Sequence, residues 1–164
     1  MSQTLTLRPA EVGDAPAIGA LIAELMPLMT IAPDGAGAEQ FIATMQAPAI
    51  AGYLGQERYW YRLGWLAGEL AGVVGVRDGT HLFHLFVARR FHGGGLARQL
   101  WQAAQAGAAP GSTWTVNASP HAAAMYEHFG FRATGPRVEQ GGVAWIPMYL
   151  SMPYRLASER GVVL

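Results

Sequence analysis

The chain has 164 residues, 51% of them hydrophobic and 13% charged, which is enough apolar content to bury a core and too much for an intrinsically disordered segment. Eleven basic and eleven acidic residues cancel, so the net field offers nothing to recruit nucleic acid or a membrane surface. Cysteine is absent and every cation is arginine, which excludes a thiolate nucleophile, a thiolate metal site, a disulfide framework and a lysine base.

Residues 4–8, TLTLR, alternate as a strand does and run into Pro9. Asp14 is placed to cap a helix over 15–26, whose Ile18, Leu21, Ile22 and Leu25 share one face, and Pro27 stops it. A weaker helix is expected over 38–45, with Phe41, Ile42 and Met45 as its stripe, while APDGAGA and APAIAGYLG read as loops. Strands follow at 59–67 and 70–77 around Gly68-Glu69, then at 81–87 after the tight turn Asp78-Gly79. A helix over 96–106 turns Leu96, Leu100, Ala103 and Ala104 inward and ends at Gly107. A short strand at 113–117 leads to a helix over 120–129, capped by Ser119 with Pro120 in first position. It buries Ala122, Met125 and Phe129, carries Tyr126 at the edge of that face, and is closed by Gly130. FRATGPRVEQ and VAWIPMYL pair around Gly141-Gly142 as a last hairpin. This order predicts one α/β domain over 1–164 with a mixed sheet.

The N-terminal stretch MSQTLTLRPAEVGD lacks a basic run followed by an apolar one, so no secretory signal is read there. The apolar run over 15–29 is interrupted by Glu24 and is too short to span a bilayer. A cytoplasmic protein is expected.

The segment RRFHGGGLARQLW, residues 89–101, sets three bare residues between a strand and a helix start. Glycine in series costs conformational entropy, so the backbone there has a reason to be bare. The first turn of a helix leaves N–H groups unpaired at the positive end of its dipole. Gly93, Gly94 and Gly95 would let a phosphate sit directly on them; a plain flexible turn is the alternative. A P-loop would need a lysine and a hydroxyl residue after the last glycine, and a dinucleotide fingerprint a different spacing. HGGG is also similar to the oxyanion loop of esterases. Yet none of Ser2, Ser112, Ser119, Ser151 and Ser158 lies in a G-x-S-x-G elbow.

LFVARRFHGGGLARQLW resembles the acyl-CoA-binding signature Q/R-x-x-G-x-G/A of the GCN5-related N-acetyltransferases, falling on His92, Gly93, Gly94, Gly95, Leu96 and Ala97. VNASPHAAAMYEHFGF is similar to that family's second cofactor motif, an asparagine at a strand end and then Y-E-x-x-G-F closing a helix. The element order over 4–151 also resembles the family's. The resemblance implies a mixed, mostly antiparallel central sheet flanked by helices and splayed between its fourth and fifth strands. It implies acetyl-CoA as the acetyl donor and no metal. The pantetheine arm would enter the splay against the backbone of Leu85, Phe86 and Val87, and an N–H near Leu85 or Phe86 would polarise the thioester carbonyl. Asn117 would bond the arm, though by itself it reads as a turn residue. His92 stands where the family has glutamine or arginine. A neutral imidazole donates one hydrogen bond and an imidazolium pairs with phosphate; otherwise His92 is a bystander and the amides carry the pyrophosphate. Arg98, with Arg89 and Arg90, lies within sequence reach of the ribose 3′-phosphate.

In the family a tyrosine at the position of Tyr126 acts as general acid. A phenol with an unperturbed pKa near ~10 stays protonated, and a thiolate like that of cysteine, near ~8.5, can accept its proton; the alternative is a core tyrosine. His81 takes the place where several relatives carry a glutamate or histidine as base, and imidazole near ~6.5 suits removal of the amine proton, unless a water chain does so. His84 is three positions on, hence on the opposite face of a regular strand unless a bulge intervenes. His121 and His128 read as exposed helix residues. Without cysteine, direct transfer in a ternary complex is the implied mechanism. The acceptor would be a small-molecule amine or a peptide N-terminus, in a pocket near Met26, Met29, Tyr59, Trp60, Tyr61, Trp145 and Tyr149. A homodimer is left open. The rival reading, prompted by His92, is a catalytically idle acyl-CoA-binding sensor of the same fold.

Overall fold

The computed structural model describes residues 4–153; residues 1–3 and 154–164 of the expected domain lie outside it. In chain order the elements are β1 (Thr6–Pro9), α1 (Ala15–Leu25), α2 (Glu39–Ala43), α3 (Ala47–Leu54), β2 (Tyr59–Leu66), β3 (Glu69–Arg77) and β4 (His81–Val87). They continue with α4 (Leu96–Ala106), β5 (Thr113–Ala118), α5 (Ala123–His128), β6 (Arg132–Ala133), β7 (Val138–Gln140) and β8 (Val143–Ser151). The eight-stranded sheet runs β1-β2-β3-β4-β5-β8-β6, with β7 paired to β8. Every pairing is antiparallel except β4 with β5. That parallel pairing covers only His81 opposite Thr115 and Leu82 opposite Val116, after which the strands part. The mixed, mostly antiparallel sheet with a splay between its fourth and fifth strands is therefore present.

Several local expectations are corrected. APAIAGYLG is not a loop but α3: Pro48 sits in its first turn, where the missing N–H breaks no bond, and Ile50 is fully buried. The helix expected over 38–45 keeps only Glu39–Ala43. Residues 119–122 form a turn in which the Ala122 N–H donates to the Ser119 carbonyl and hydroxyl, so α5 begins only at Ala123. Tyr126 is therefore inside the core rather than at its edge, while Ala122, Met125 and Phe129 are half-buried. The β2–β3 turn falls on Ala67-Gly68, both at positive φ, not on Gly68-Glu69. Asp14 does not cap α1; its carboxylate accepts the Glu11 N–H at 2.7 Å and pairs with Arg8 at 2.8 and 2.9 Å.

The two faces of the sheet carry separate cores. On one, α4 and α5 pack Leu100, Trp101 and Tyr126 against Val74, Leu82, Trp114 and Val116, with Trp101 edge-on to Trp114 at 4.9 Å. Burying a side chain such as Leu100 contributes ~1.5–3 kcal/mol. On the other, Ile18, Leu21, Ile22 and Leu25 of α1, with Ile50 of α3, cover Tyr61, Leu63 and Val73.

A β-bulge interrupts this second face. Gly75 pairs with His84 and the next β3 residue, Val76, pairs with Leu82, so Phe83 is the extra residue in β4. The bulge returns His84 to the face that carries His81. Tyr61, Gly75 and His84 then lie abreast on three strands. Any Cβ at Gly75 would run into the Tyr61 ring, and its absence lets that ring cross β3 to place its hydroxyl 2.8 Å from His84 Nδ1.

His84 is 1% exposed, and burial drives its imidazole down to about 3. In the unfolded chain it titrates near ~6.5, so at lower pH the unfolded state binds the proton and the folded state does not. Stability is full above ~6.5 and should fall by ~1.4 kcal/mol per pH unit from this group as pH drops toward 3. Urea-unfolding midpoints measured across this window should show that slope, flattened in His84→Leu; equal slopes in both proteins would contradict it.

Candidate active site

Where β4 and β5 separate, the β5-facing edge of β4 beyond Leu82 has no strand partner among the described residues. A cavity of about 1130 Å³ opens there and runs from the N-terminus of α4 across the sheet to α1 and α2. It collects nearly all the residues singled out from sequence: His81, Leu85, Phe86, Val87, His92, Gly93, Gly95, Leu96, Ala97, Arg98, Asn117 and Tyr126 line it. Gly94 lies in the loop but not on the wall.

At one end sits the glycine loop. Gly93 has φ +84° and Gly95 φ +80°, left-handed conformations that cost an L-residue roughly 1–2 kcal/mol. A Cβ at either would meet nothing within 4 Å, so the space above them is open. The N–H groups of Gly93, Gly94 and Gly95 donate to no protein acceptor among the described residues, and no side chain caps α4. An eleven-residue helix thus presents bare amides and the positive end of its dipole to the cavity. Beside them Arg98 lies over the Phe129 ring at 5.0 Å. Arg89 and Arg90 do not line the cavity: Arg89 donates its backbone N–H to the Glu24 carboxylate and its Nε to the Glu24 carbonyl at 3.4 Å, and Arg90 pairs with Glu69 at 3.5 Å.

His92 turns its ring toward the protein. Its Nε2 lies 2.6 Å from the Val87 carbonyl, and a carbonyl only accepts, so Nε2 carries a proton. The imidazole ties the end of β4 to the glycine loop. Its other nitrogen can donate to an anion only in the imidazolium form.

Midway along the cleft Tyr126 is held edge-on by Phe129 and Phe131, with ring centroids 6.1 and 5.5 Å away. Its hydroxyl has no hydrogen-bond partner among the described residues, and burial pushes the phenol above its ordinary range, so it stays protonated at neutral pH. Across the cleft His81 is half-buried, its Nδ1 2.8 Å from the Thr115 hydroxyl on β5. Burial and then the neighbouring Arg77 cation hold its imidazole below the usual value, against the weaker pull of Asp78. A protonated acid and an unprotonated base therefore face one cavity at the same pH. His84 does not line it; His121 and His128 are exposed side chains at its border.

At the far end the wall is Leu25, Leu28, Met29, Phe41, Met45 and Phe83, with Gln40, Arg77, Gln140 and Trp145 as its polar and aromatic rim. Of the acceptor-side residues expected from sequence, Met29 and Trp145 line it, whereas Met26, Tyr59, Trp60, Tyr61 and Tyr149 do not. Arg77, Phe83, Phe41 and Met45 were not legible: their exposure to the cavity follows from the bulge and the position of α2. The segment after α1 is strapped onto the last hairpin, with Thr30 bridging Val143 and the Ile31 N–H donating to the Gly142 carbonyl at 2.9 Å. No His/Asp/Glu cluster with metal-binding geometry occurs among the described residues, and no helix there is long and apolar enough to cross a membrane.

Residues 29–152 match the acetyltransferase (GNAT) domain family, and the chain belongs to it. Among solved structures it is similar to a GCN5-related N-acetyltransferase of Rhodopseudomonas palustris, 25% identical with a TM-score of 0.69 over 93% of this chain and 99% of that one. It is also similar in fold to the PaiA N-acetyltransferase of Thermoplasma acidophilum in complex with coenzyme A (9% identity, TM-score 0.67, 90% and 99% covered). A third is the ribosomal-protein-S18-alanine N-acetyltransferase of Escherichia coli (20%, 0.62, 94% and 97%). No curated protein sequence matches the chain.

Proposed function

We propose that the protein moves the acetyl group of acetyl-CoA to a primary amine by direct attack within a ternary complex. The observation that carries this is the alignment, in one cavity, of free helix-start amides, an unpaired strand edge, a protonated phenol and a neutral imidazole.

The residues present suit the donor. The amides of Gly93, Gly94 and Gly95 and the start of α4 would hold the pyrophosphate, and Arg98 would meet the 3′-phosphate, being free of carboxylate partners among the described residues. The edge of β4 at Leu85, Phe86 and Val87 would take the pantetheine arm as an added strand, with Asn117 bonding it from β5. A backbone N–H near Leu85 or Phe86 would polarise the thioester carbonyl. His92, tied to Val87, acts here by fixing the loop against the strand.

With Nδ1–H donating to Thr115, His81 presents the lone pair of Nε2 and takes the amine proton as the new C–N bond forms. When the C–S bond breaks, Tyr126 gives its proton to the departing sulfur and recovers one from solvent. The apolar surroundings of the Tyr126 phenol favour its neutral form before and after this exchange.

Removing the phenol proton should lower kcat by ~10²-fold or more in Tyr126→Phe with acetyl-CoA affinity unchanged by calorimetry; unchanged turnover would take the acid role from it. In the wild type the acid limb of kcat/KM should lie below the ordinary ~6.5 of histidine, since the rate is lost as pH falls through a lowered pKa. In His81→Ala that limb should disappear and activity should require higher pH; an unaltered profile would point to a water chain. Tight binding of acetyl-CoA with no turnover on any amine would favour the idle sensor.

A further inference from the structure

Among the described residues, no aspartate or glutamate lines any part of the cavity. Its charged and titratable groups are Arg77, Arg98, His81, His92, His121, His128 and Tyr126. Arg98 belongs to the end with the glycine loop. The acceptor end is left with an apolar wall and one cation, Arg77. A polyamine or a basic peptide would bring several ammonium groups into this space with no counter-charge, and a buried unpaired charge costs several kcal/mol.

Arg77 is the last residue of β3 and pairs in register with His81. Its guanidinium lies over the Phe83 ring at 5.1 Å and is 33% exposed, so a ligand can reach it. Its contact with Asp78 is long, 3.8 Å from Nε, and its guanidinium donates no hydrogen bond among the described residues, while Asp78 is held by Arg58 at 2.7 and 3.1 Å. The terminal nitrogens of Arg77 thus keep their donors for a planar anion, which a carboxylate matches with two parallel bonds.

Facing residues on neighbouring strands have Cβ atoms ~4.5–5.5 Å apart. Arg77 and His81 are such a pair and line the same end of the cavity, so a ligand carboxylate on Arg77 brings an amine on the adjoining carbon toward His81. Its remaining substituent then faces Phe83, Phe41, Met29 and Met45. Resting on the acetyltransferase reading, we propose that the acceptor is a free α-amino acid with an apolar or aromatic side chain, whose carboxylate is bound by Arg77.

The test compares L-phenylalanine, phenethylamine (the same body without the carboxylate), a short peptide beginning with phenylalanine, and spermidine. Thiol release from acetyl-CoA is measured, alongside calorimetric binding of phenylalanine to the CoA-loaded protein. Phenylalanine should exceed phenethylamine and the peptide in kcat/KM by ~10- to 100-fold, the worth of a bidentate charged pair, and spermidine should be negligible. In Arg77→Gln the ratio of phenylalanine to phenethylamine should collapse toward one, mostly through KM. Arg77→Lys, which keeps the charge and loses the fork, should fall between. The proposal is overturned if phenethylamine, the peptide or spermidine is the better acceptor, if phenylalanine does not bind the CoA-loaded protein, or if Arg77→Gln leaves the ratio intact. Failure of acetyl-CoA itself to bind would instead overturn the acetyltransferase reading.

Discussion

A two-residue parallel pairing governs this molecule. Each of its strands is held firmly on the outer side, β4 by β3 as far as Val87 and β5 by β8 along its whole length. Between them only His81 and Leu82 meet Thr115 and Val116, so the right-handed twist of the sheet is free to open a wedge. A wedge inside a sheet exposes strand-edge donors and acceptors in a sheltered place, where an extended ligand can satisfy them. The same opening admits the bare start of α4 on one face and the end of α1 on the other. The cavity is a consequence of that short pairing.

Burial sets the chemistry of the groups around the wedge in one direction, toward neutrality. In the cavity Tyr126 is pushed up and His81 down, and in the adjoining core Tyr61 goes up and His84 down. For an acetyl transfer this is the useful combination, because acid and base must be in opposite protonation states at one pH. Charge remains only at the two ends, where the helix-start amides and Arg98 meet one part of the cavity and Arg77 the other. An elongated ligand set with anionic groups at both ends and neutral reacting atoms between them suits such a field.

The bulge at Phe83 has a wider effect than its single residue suggests. It puts His81 and His84, three apart in sequence, on the same face and shifts Phe83 toward the far wall of the cavity. Gly75 makes this affordable in space by letting the Tyr61 ring lie flat across β3, where it holds His84. The buried His84 thereby ties β4 to Tyr61 of β2, while His81, three residues earlier, lines the cavity.

Periodicity and punctuation in the chain were sufficient for the order of elements apart from α3 and the division of 131–140 into β6 and β7, for the α4 and α1 faces, the glycine loop and the two motifs that mark the family, because those depend on neighbours within a few residues. Nearly every candidate along β4, the glycine loop, β5 and α5 also falls on one cavity for the same reason: the motifs encode local geometry. Helix α3 reads as a loop in sequence since its Pro48 and Gly52 and the closing Gly55 mimic one, and its helicity comes from Ile50 packing on the sheet. Only tertiary structure decided that Tyr126 is interior, that His92 bonds Val87, that Arg98 rather than Arg89 or Arg90 lines the cavity, and that Arg77 lines its far end. Each of these turns on which distant strand or helix stands opposite, and long-range pairing leaves no trace in the spacing of a single sequence.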